Sequence, residues 1–448
     1  MFVRKVDSTI VREVEGGGQV INGETGEDCT INETGLLFWS FINERVQDED
    51  VILDAICNCF DNVERDTIRK DLNEFLKHME KMGFLSLADK LEEIEIYALE
   101  SLHVDITSEC NERCIHCYIP NAVKNKAKHI SLQKFCKLTD EFVKLGGSNI
   151  VLSGGEPLMH PEIIEILQDC KRKGLGIAIF SNLTLLDKRL MEVIKSANVD
   201  LVQVSVYSVS PTIHDKITKK KGSLAKTLSA IKMLQSEGIN IQIACPVMQQ
   251  NKDDVVNVMK YAKENDISLR TNSIILPTYD GDDSFVESSA LTLKEKKTMI
   301  CEMMMSDRQY TKDVLLELNN NSNELYIDPK GFLNSSLCSA GINSCSVSID
   351  GYVCPCPKWQ SYHLGNIYTN TLSEIWYNNP LLSLIRRINK QKNYPECINC
   401  KAIDYCKRCL KLNEQTDQGG LLRFFGSNNC EFAWMTKELL EENKEQND

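Results

Sequence analysis

Three thiols crowd into one short loop, Cys110-Asn111-Glu112-Arg113-Cys114-Ile115-His116-Cys117, directly after the alternating run Leu102-His103-Val104-Asp105-Ile106. Spaced Cys-x3-Cys-x2-Cys, they can converge on a single inorganic cluster. An iron–sulfur cube normally takes one thiolate on each of its four irons, so three cysteines leave one iron open for a ligand that is not protein. The competing reading is a zinc knuckle. Zinc sites, however, use paired Cys-x2-Cys or Cys/His spacings and need a fourth ligand, for which His116 is the only nearby candidate.

The chain of 448 residues exceeds one typical core and implies two or three domains. Its 19 cysteines read as metal ligands rather than disulfides in a reducing cytoplasm, where the chain is expected to reside. No run of roughly 18 apolar residues and no signal-peptide core point to a membrane or to export. A net charge of −13 argues against a nucleic-acid partner, because phosphate binding needs a concentrated positive field.

Residues 1–90 carry a pattern of their own. Ile10–Val14 and Gln19–Asn22 flank Gly16-Gly17-Gly18 as a hairpin, and helices are expected over 36–42, 50–60 and up to Lys81. In the last, Ile68, Leu72, Phe75, Leu76, Met79 and Met82 share one face before Gly83 ends it. The expectation is a small winged-helix-like α+β module of two or three strands and three helices. A DNA-binding winged helix is disfavoured by the acidic Asp48-Glu49-Asp50 and by the absence of a basic recognition face.

From Leu102 to Ile275, strands over 102–107, 149–153, 176–181, 199–206, 239–247 and 267–275 alternate with helices. Such repeats give a parallel α/β sheet, a partial (β/α)6 barrel over 91–280, because parallel strands need crossover connections. Its active site belongs at the C-terminal strand ends, where the Cys110 loop and Ser153-Gly154-Gly155-Glu156-Pro157 both fall. Two glycines let the backbone approach a ligand closely with exposed peptide groups. Residues 281–448 open with a hinge at Gly281-Asp282-Asp283-Ser284 and hold a second cysteine field from Cys338 to Cys430, readable as metal centres and, alternatively, as two zinc ribbons.

The cysteine loop, its preceding strand and the aromatic Tyr118 resemble the radical S-adenosylmethionine (SAM) enzymes. The resemblance implies that Cys110, Cys114 and Cys117 hold a 4Fe-4S cluster whose open iron chelates SAM. It also implies SAM contacts from Tyr118, from Gly154, Gly155 and Glu156, from Ser181 and Asn182, and from Ser205. Many relatives have Arg-Gly where this chain has Thr218-Lys219, so Thr218 or a neighbouring lysine becomes the expected holder of the SAM carboxylate. The C-terminal pattern resembles the SPASM extension with two auxiliary 4Fe-4S clusters, three clusters in all. By that resemblance Cys338, Cys345, Cys356 and Cys409 hold one, and Cys397, Cys400, Cys406 and Cys430 the other. Cys354 is a possible alternate for Cys356, and the final Cys-x2-Cys gap is one residue shorter than the family's usual one.

The front module resembles the RiPP recognition element of enzymes that modify ribosomally made peptides. There a leader peptide adds a strand to a sheet edge and lies against the third helix. Together these resemblances imply a radical SAM peptide maturase that forms thioether crosslinks of the sactipeptide or ranthipeptide class. Its implied partners are a precursor peptide with a leader and a reductant such as flavodoxin or ferredoxin. Other radical outcomes on a peptide, carbon–carbon crosslinking or sulfatase-type residue oxidation, and a non-catalytic metal-binding regulator of peptide or DNA are the alternatives.

Overall fold

A computed structural model describes residues 1–6, 9–22, 26–42, 47–60, 63–88, 97–316, 335–406, 409–411, 414–416, 422–424 and 428–441. The expected domain boundary at residues 90 and 91 lies outside them. The chain forms two compact units, Met1–Ala98 with Leu364–Ile388, and Leu99–His363 with Asn389–Asp448.

In the first unit, strands β1 (Phe2–Lys5), β2 (Thr9–Val14), β3 (Gly17–Asn22) and β4 (Asp28–Asn32) lead into helix α1 (Glu33–Phe41). Strand β5 (Gln47–Asp48), helices α2 (Glu49–Cys57) and α3 (Arg65–Lys81) and strand β6 (Leu85–Ala88) follow. The expected hairpin is β2 paired antiparallel with β3, Val11 opposite Val20. The strands are more numerous than the two or three expected, and they form two small sheets, β2-β3-β4 and β5-β1-β6. Residues 2–5 and 85–88 escaped the sequence reading because each is a four-residue strand that gains its place by pairing with segments distant in the chain, residues 2–5 with both 85–88 and 47–48. Helix α3 buries Ile68, Leu72, Leu76 and Met79 against Trp39, Leu53 and Ile56. Its stop is Gly83, whose φ of +76° favours glycine. The segment Leu364–Ile388 adds helix Leu372–Asn378, whose Trp376 indole donates to the Tyr97 carbonyl at 2.6 Å.

The second unit contains the parallel sheet. Strands β7 (Ser101–Thr107), β8 (Asn149–Gly154), β9 (Gly176–Ser181), β10 (Leu201–Ser205), β11 (Ile241–Pro246) and β12 (Ser268–Asn272) run parallel in sequence order. Helices α4 (Asn121–Lys124) and α5 (Leu132–Lys144) join β7 to β8, α6 (Ile163–Arg172) joins β8 to β9, and α7 (Lys188–Ser196) joins β9 to β10. Two helices, α8 (Pro211–Thr218) and α9 (Ser223–Ser236), precede β11, and α10 (Val255–Glu264) precedes β12. The strands read as expected because Leu102, Val104 and Ile106, for example, are all fully buried, while the residues between them turn to the other face.

The sheet does not end at β7, as six strand–helix repeats would have it. Strand β13 (Ser344–Val347) pairs parallel with β7, His103 opposite Ser346, and β14 (Tyr352–Cys354) pairs antiparallel with β13. The cysteine-rich segment is thereby fixed to the strand that precedes the Cys110 loop.

Helix α1 offers a direct test of the front unit. The Asn32 side chain caps it by accepting from the Gly35 amide at 2.8 Å, a bond worth about 1 kcal/mol. Asn32→Ala is expected to speed hydrogen exchange across Glu33–Phe41 about fivefold, with the exchange of β8 and β9 unchanged.

Candidate functional site

The Cys110 loop is built by backbone bonds from two sides. The Gly155 amide donates to the Thr107 carbonyl and the Glu156 amide to the Glu109 carbonyl, both at 2.7 Å. A methyl group on Gly155 would meet the Glu109 oxygen at 2.2 Å, and one on Gly154, at φ +124°, would meet the Thr107 oxygen at 2.2 Å. From the other side, the Arg113 amide donates to Thr218 and the Ile115 amide to Ile217, both at 3.0 Å.

Gly154 and Gly155 thus let one stretch of chain lie against another, and the Gly155 and Glu156 amides are consumed in doing so. Both glycines also line the cavity described below. Thr218 is fully buried, its hydroxyl bonded to the Asp215 carbonyl, and it does not line the cavity below the loop. Lys219 after it stands at φ +53°, a left-handed position where a glycine would be at ease.

Glu156 acts as a clamp between strand ends. Its oxygens accept from the Ser181 hydroxyl at 2.7 Å, the Asn182 amide at 2.8 Å and the Leu158 amide at 3.0 Å. Burial lifts its carboxyl to about 7 against the pull of those donors. Asn182 is engaged as well: its Nδ2 donates to Asn111 at 2.9 Å, and its Oδ1 accepts from the Thr184 hydroxyl at 2.7 Å. These contacts tie the cysteine loop to the end of β9.

Beneath the loop lies a cavity of about 500 Å³. Its wall includes Cys110, Cys114, Cys117 and Tyr118, then Gly154, Gly155, Glu156, Ser181, Asn182 and Ser205, and, from the C-terminal segment, Pro357, Lys358, Gln360 and Ser361. Every residue expected around SAM except Thr218 is therefore brought to one space. Burial pushes the Cys110 thiol up to about 12 and the Cys114 thiol well above its usual range, so both are protonated until a metal displaces the proton. Ser153 bonds the Tyr118 phenol, which burial also raises.

A buried network behind Cys114 was not read from sequence. The Cys114 thiol donates to Glu112 Oε2 at 3.6 Å, Ser223 Oγ donates to Glu112 Oε1, and His214 Nε2 lies 3.3 Å from Ser223 Oγ. The Tyr207 amide donates to His214 Nδ1 at 3.3 Å, and its ring packs edge-on against His116 at 4.8 Å. Burial lowers both His116 and His214 to about 4, so both imidazoles are neutral.

In the C-terminal field the Cys356 thiol is raised to about 11, chiefly by burial and further by the nearby Cys409 and Cys338. Cys345 is buried on β13, and Cys354 is fully buried with its thiol toward the Gln360 carbonyl at 3.6 Å. Cys397, Cys400 and Cys406 share one short stretch, the Cys400 amide bonded to the Cys397 carbonyl at 3.1 Å, while Cys430 is exposed on helix Asn428–Glu441.

Residues 104–262 match the Radical SAM superfamily, 338–401 the iron-sulfur cluster-binding domain SPASM, and 19–85 coenzyme PQQ synthesis protein D, PqqD. The chain is a radical SAM/SPASM enzyme. It is 26% identical over 342 residues to the antilisterial bacteriocin subtilosin biosynthesis protein AlbA of Bacillus subtilis, covering 75% of this chain and 71% of that one. It is also 26% identical over 320 residues to the AdoMet-dependent heme synthase of Methanosarcina barkeri, covering 68% and 89%. Streptococcus suis SuiB bound to its precursor peptide SuiA has the same fold, with a TM-score of 0.55 at 14% identity over 96% of this chain and 99% of that one. The radical SAM/SPASM assignment carries with it iron–sulfur and SAM binding. Among the described residues, no helix is long and apolar enough to cross a membrane.

For this radical SAM/SPASM enzyme, Gly155→Ala is the sharpest test of the loop's geometry. The variant is expected to lose about four irons per chain on reconstitution, whereas Gly174→Ala, which strains a left-handed helix end at φ +70° but meets no neighbouring atom, leaves iron unchanged. Iron and sulfide analysis of both variants decides it.

Proposed function

We propose that this radical SAM/SPASM enzyme is a peptide maturase that closes thioether crosslinks in a ribosomally made precursor. The observation that carries the reading is a single cavity reached both by the Cys110 loop and by the segment beside Cys356. A substrate held there lies between two thiol fields.

The residues fit the groups implied. Cys110, Cys114 and Cys117 on one wall would hold a 4Fe-4S cluster, and a space of about 500 Å³ suits a small-molecule cofactor with part of a substrate. We assign Tyr118, Ser181, Asn182 and Ser205 to the cavity wall around SAM, and Glu156 with the two glycines to holding the loop in place. Cys338, Cys345, Cys356 and Cys409 would hold one auxiliary cluster and Cys397, Cys400, Cys406 and Cys430 a second, three clusters in total. When bound, SAM and the reduced cluster supply a 5′-deoxyadenosyl radical able to take hydrogen from an unactivated carbon. The chain's own part is to exclude water, to orient a peptide carbon and a cysteine thiol, and to hold an electron acceptor nearby. Closure of a carbon–sulfur bond releases one electron, which gives the second thiol field a purpose.

The choice of a peptide rests on the front unit. The heme synthase is likewise SAM-dependent, so that chemistry does not select the substrate. The match to PqqD over residues 19–85 and the likeness to a peptide-bound fold do. Strand addition at an edge of β2-β3-β4 would give affinity for a leader through backbone bonds. A flavodoxin or ferredoxin is the matching electron donor, and the cytoplasm the matching compartment.

The reading predicts roughly twelve irons per reconstituted chain. It also predicts a precursor product about two mass units lighter, with one cysteine closed to alkylation. Replacing Cys110, Cys114 and Cys117 with alanine together removes about four irons and abolishes deoxyadenosine formation. SAM cleavage that persists in that variant, or a product with all cysteines still alkylated, contradicts it.

A further inference from the structure

On β7, His103 and Asp105 alternate with the fully buried Leu102, Val104 and Ile106, so both turn to the barrel interior. A barrel interior can be filled with apolar side chains, and burying an ionisable pair there is costly unless each group is satisfied. Here the pair is incompletely satisfied. His103 Nε2 faces Asp105 Oδ1 at 3.6 Å, just beyond hydrogen-bonding reach, and both atoms are buried without another partner. The second Asp105 oxygen accepts from Gln360 Nε2 at 2.8 Å, which fixes the carboxylate from the C-terminal segment. The His103 ring packs edge-on against Phe180 at 5.6 Å, and both line the cavity.

With Nε2 turned to Asp105, Nδ1 is the nitrogen left for whatever enters the cavity. A carboxylate that holds one imidazole nitrogen leaves the other as a proton acceptor. Long contacts of this kind are usual before substrate binds and tighten when it does. The pair is tied along the chain to both thiol fields, since its partner Gln360 is four residues beyond Cys356 and β7 leads directly to Cys110.

We propose that His103, positioned by Asp105 and Gln360, is the base that takes the proton from the precursor's cysteine thiol as the carbon–sulfur bond forms. The proposal rests on the thioether reading. The atoms and electrons balance: the carbon's hydrogen atom leaves to the deoxyadenosyl radical, and the S–H bond breaks with its proton passing to His103 Nδ1. The new C–S bond forms, and one electron passes to an auxiliary iron–sulfur cluster as oxidant.

The test compares wild type with His103→Asn on two precursors, one with the acceptor cysteine and one with selenocysteine, whose selenol is ionised at neutral pH without a base. Crosslinked product is measured per deoxyadenosine released, alongside iron content and SAM affinity. General-base assistance contributes on the order of a hundredfold or more. The cysteine precursor should therefore lose at least tenfold in product per deoxyadenosine with the variant, while the selenocysteine precursor keeps the wild-type ratio and iron and SAM affinity stay unchanged. His103→Gln, which keeps a polar side chain, carries the same comparison if His103→Asn fails to fold. An undiminished ratio with cysteine, or an equal loss with both precursors, overturns the role of His103 while the thioether reading stands. A wild-type product without a carbon–sulfur link overturns the reading itself.

Discussion

The site depends on two backbone hydrogen bonds, Gly155 to Thr107 and Glu156 to Glu109, each 2.7 Å long. They dock the turn after β8 against the first residues of the cysteine loop, and any side chain at either glycine would collide with a carbonyl oxygen. Glu156 extends the same turn to the end of β9 through Ser181 and Asn182, and Asn182 returns to Asn111 in the loop. The three cysteines are thus held by a closed circuit of polar contacts at the C-terminal ends of three adjacent strands. Such preorganisation is what a cluster needs, since its ligands must converge without further ordering of the chain.

The electrostatics of the circuit follow from burial. Cys110 and Cys114 sit where a thiolate is disfavoured, and Glu112, bonded to both Cys114 and Ser223, has its own carboxyl raised by the same desolvation. Iron binding replaces two thiol protons with a positive centre, so the acidic neighbour that disfavours a bare thiolate is tolerated beside a metal-bound one. His214, neutral at the far end of the network, adds no charge to it.

Much of this was legible in the chain. The period-two alternation of Leu102–Ile106 and the Cys-x3-Cys-x2-Cys spacing located the first strand and the loop, and strand β9 occupies the expected span Gly176–Ser181. What escaped were features that only long-range pairing creates. Strand Ser344–Val347 is too short to announce itself and gains its place from β7, more than two hundred residues earlier. Leu364–Ile388 joins the N-terminal residues through contacts such as Arg386 stacked 4.4 Å over Tyr97. The Gly-Gly pair was recognised as a close approach, and the structure adds what its amide side meets, the Thr107 and Glu109 carbonyls, because sequence shows that a close approach occurs and not what approaches. Thr218 was placed by a family position, yet its carbonyl serves the loop from behind while its side chain stays out of the cavity.

The central claim is that three thiolates leave one iron open and that SAM closes it. Electron–nuclear double resonance on the reduced enzyme, with SAM labelled at the methionine nitrogen and carboxylate oxygens, reads this directly. The account predicts hyperfine coupling from both labels, lost when Cys110, Cys114 and Cys117 are replaced together. A cluster signal with no coupling to either label would contradict it.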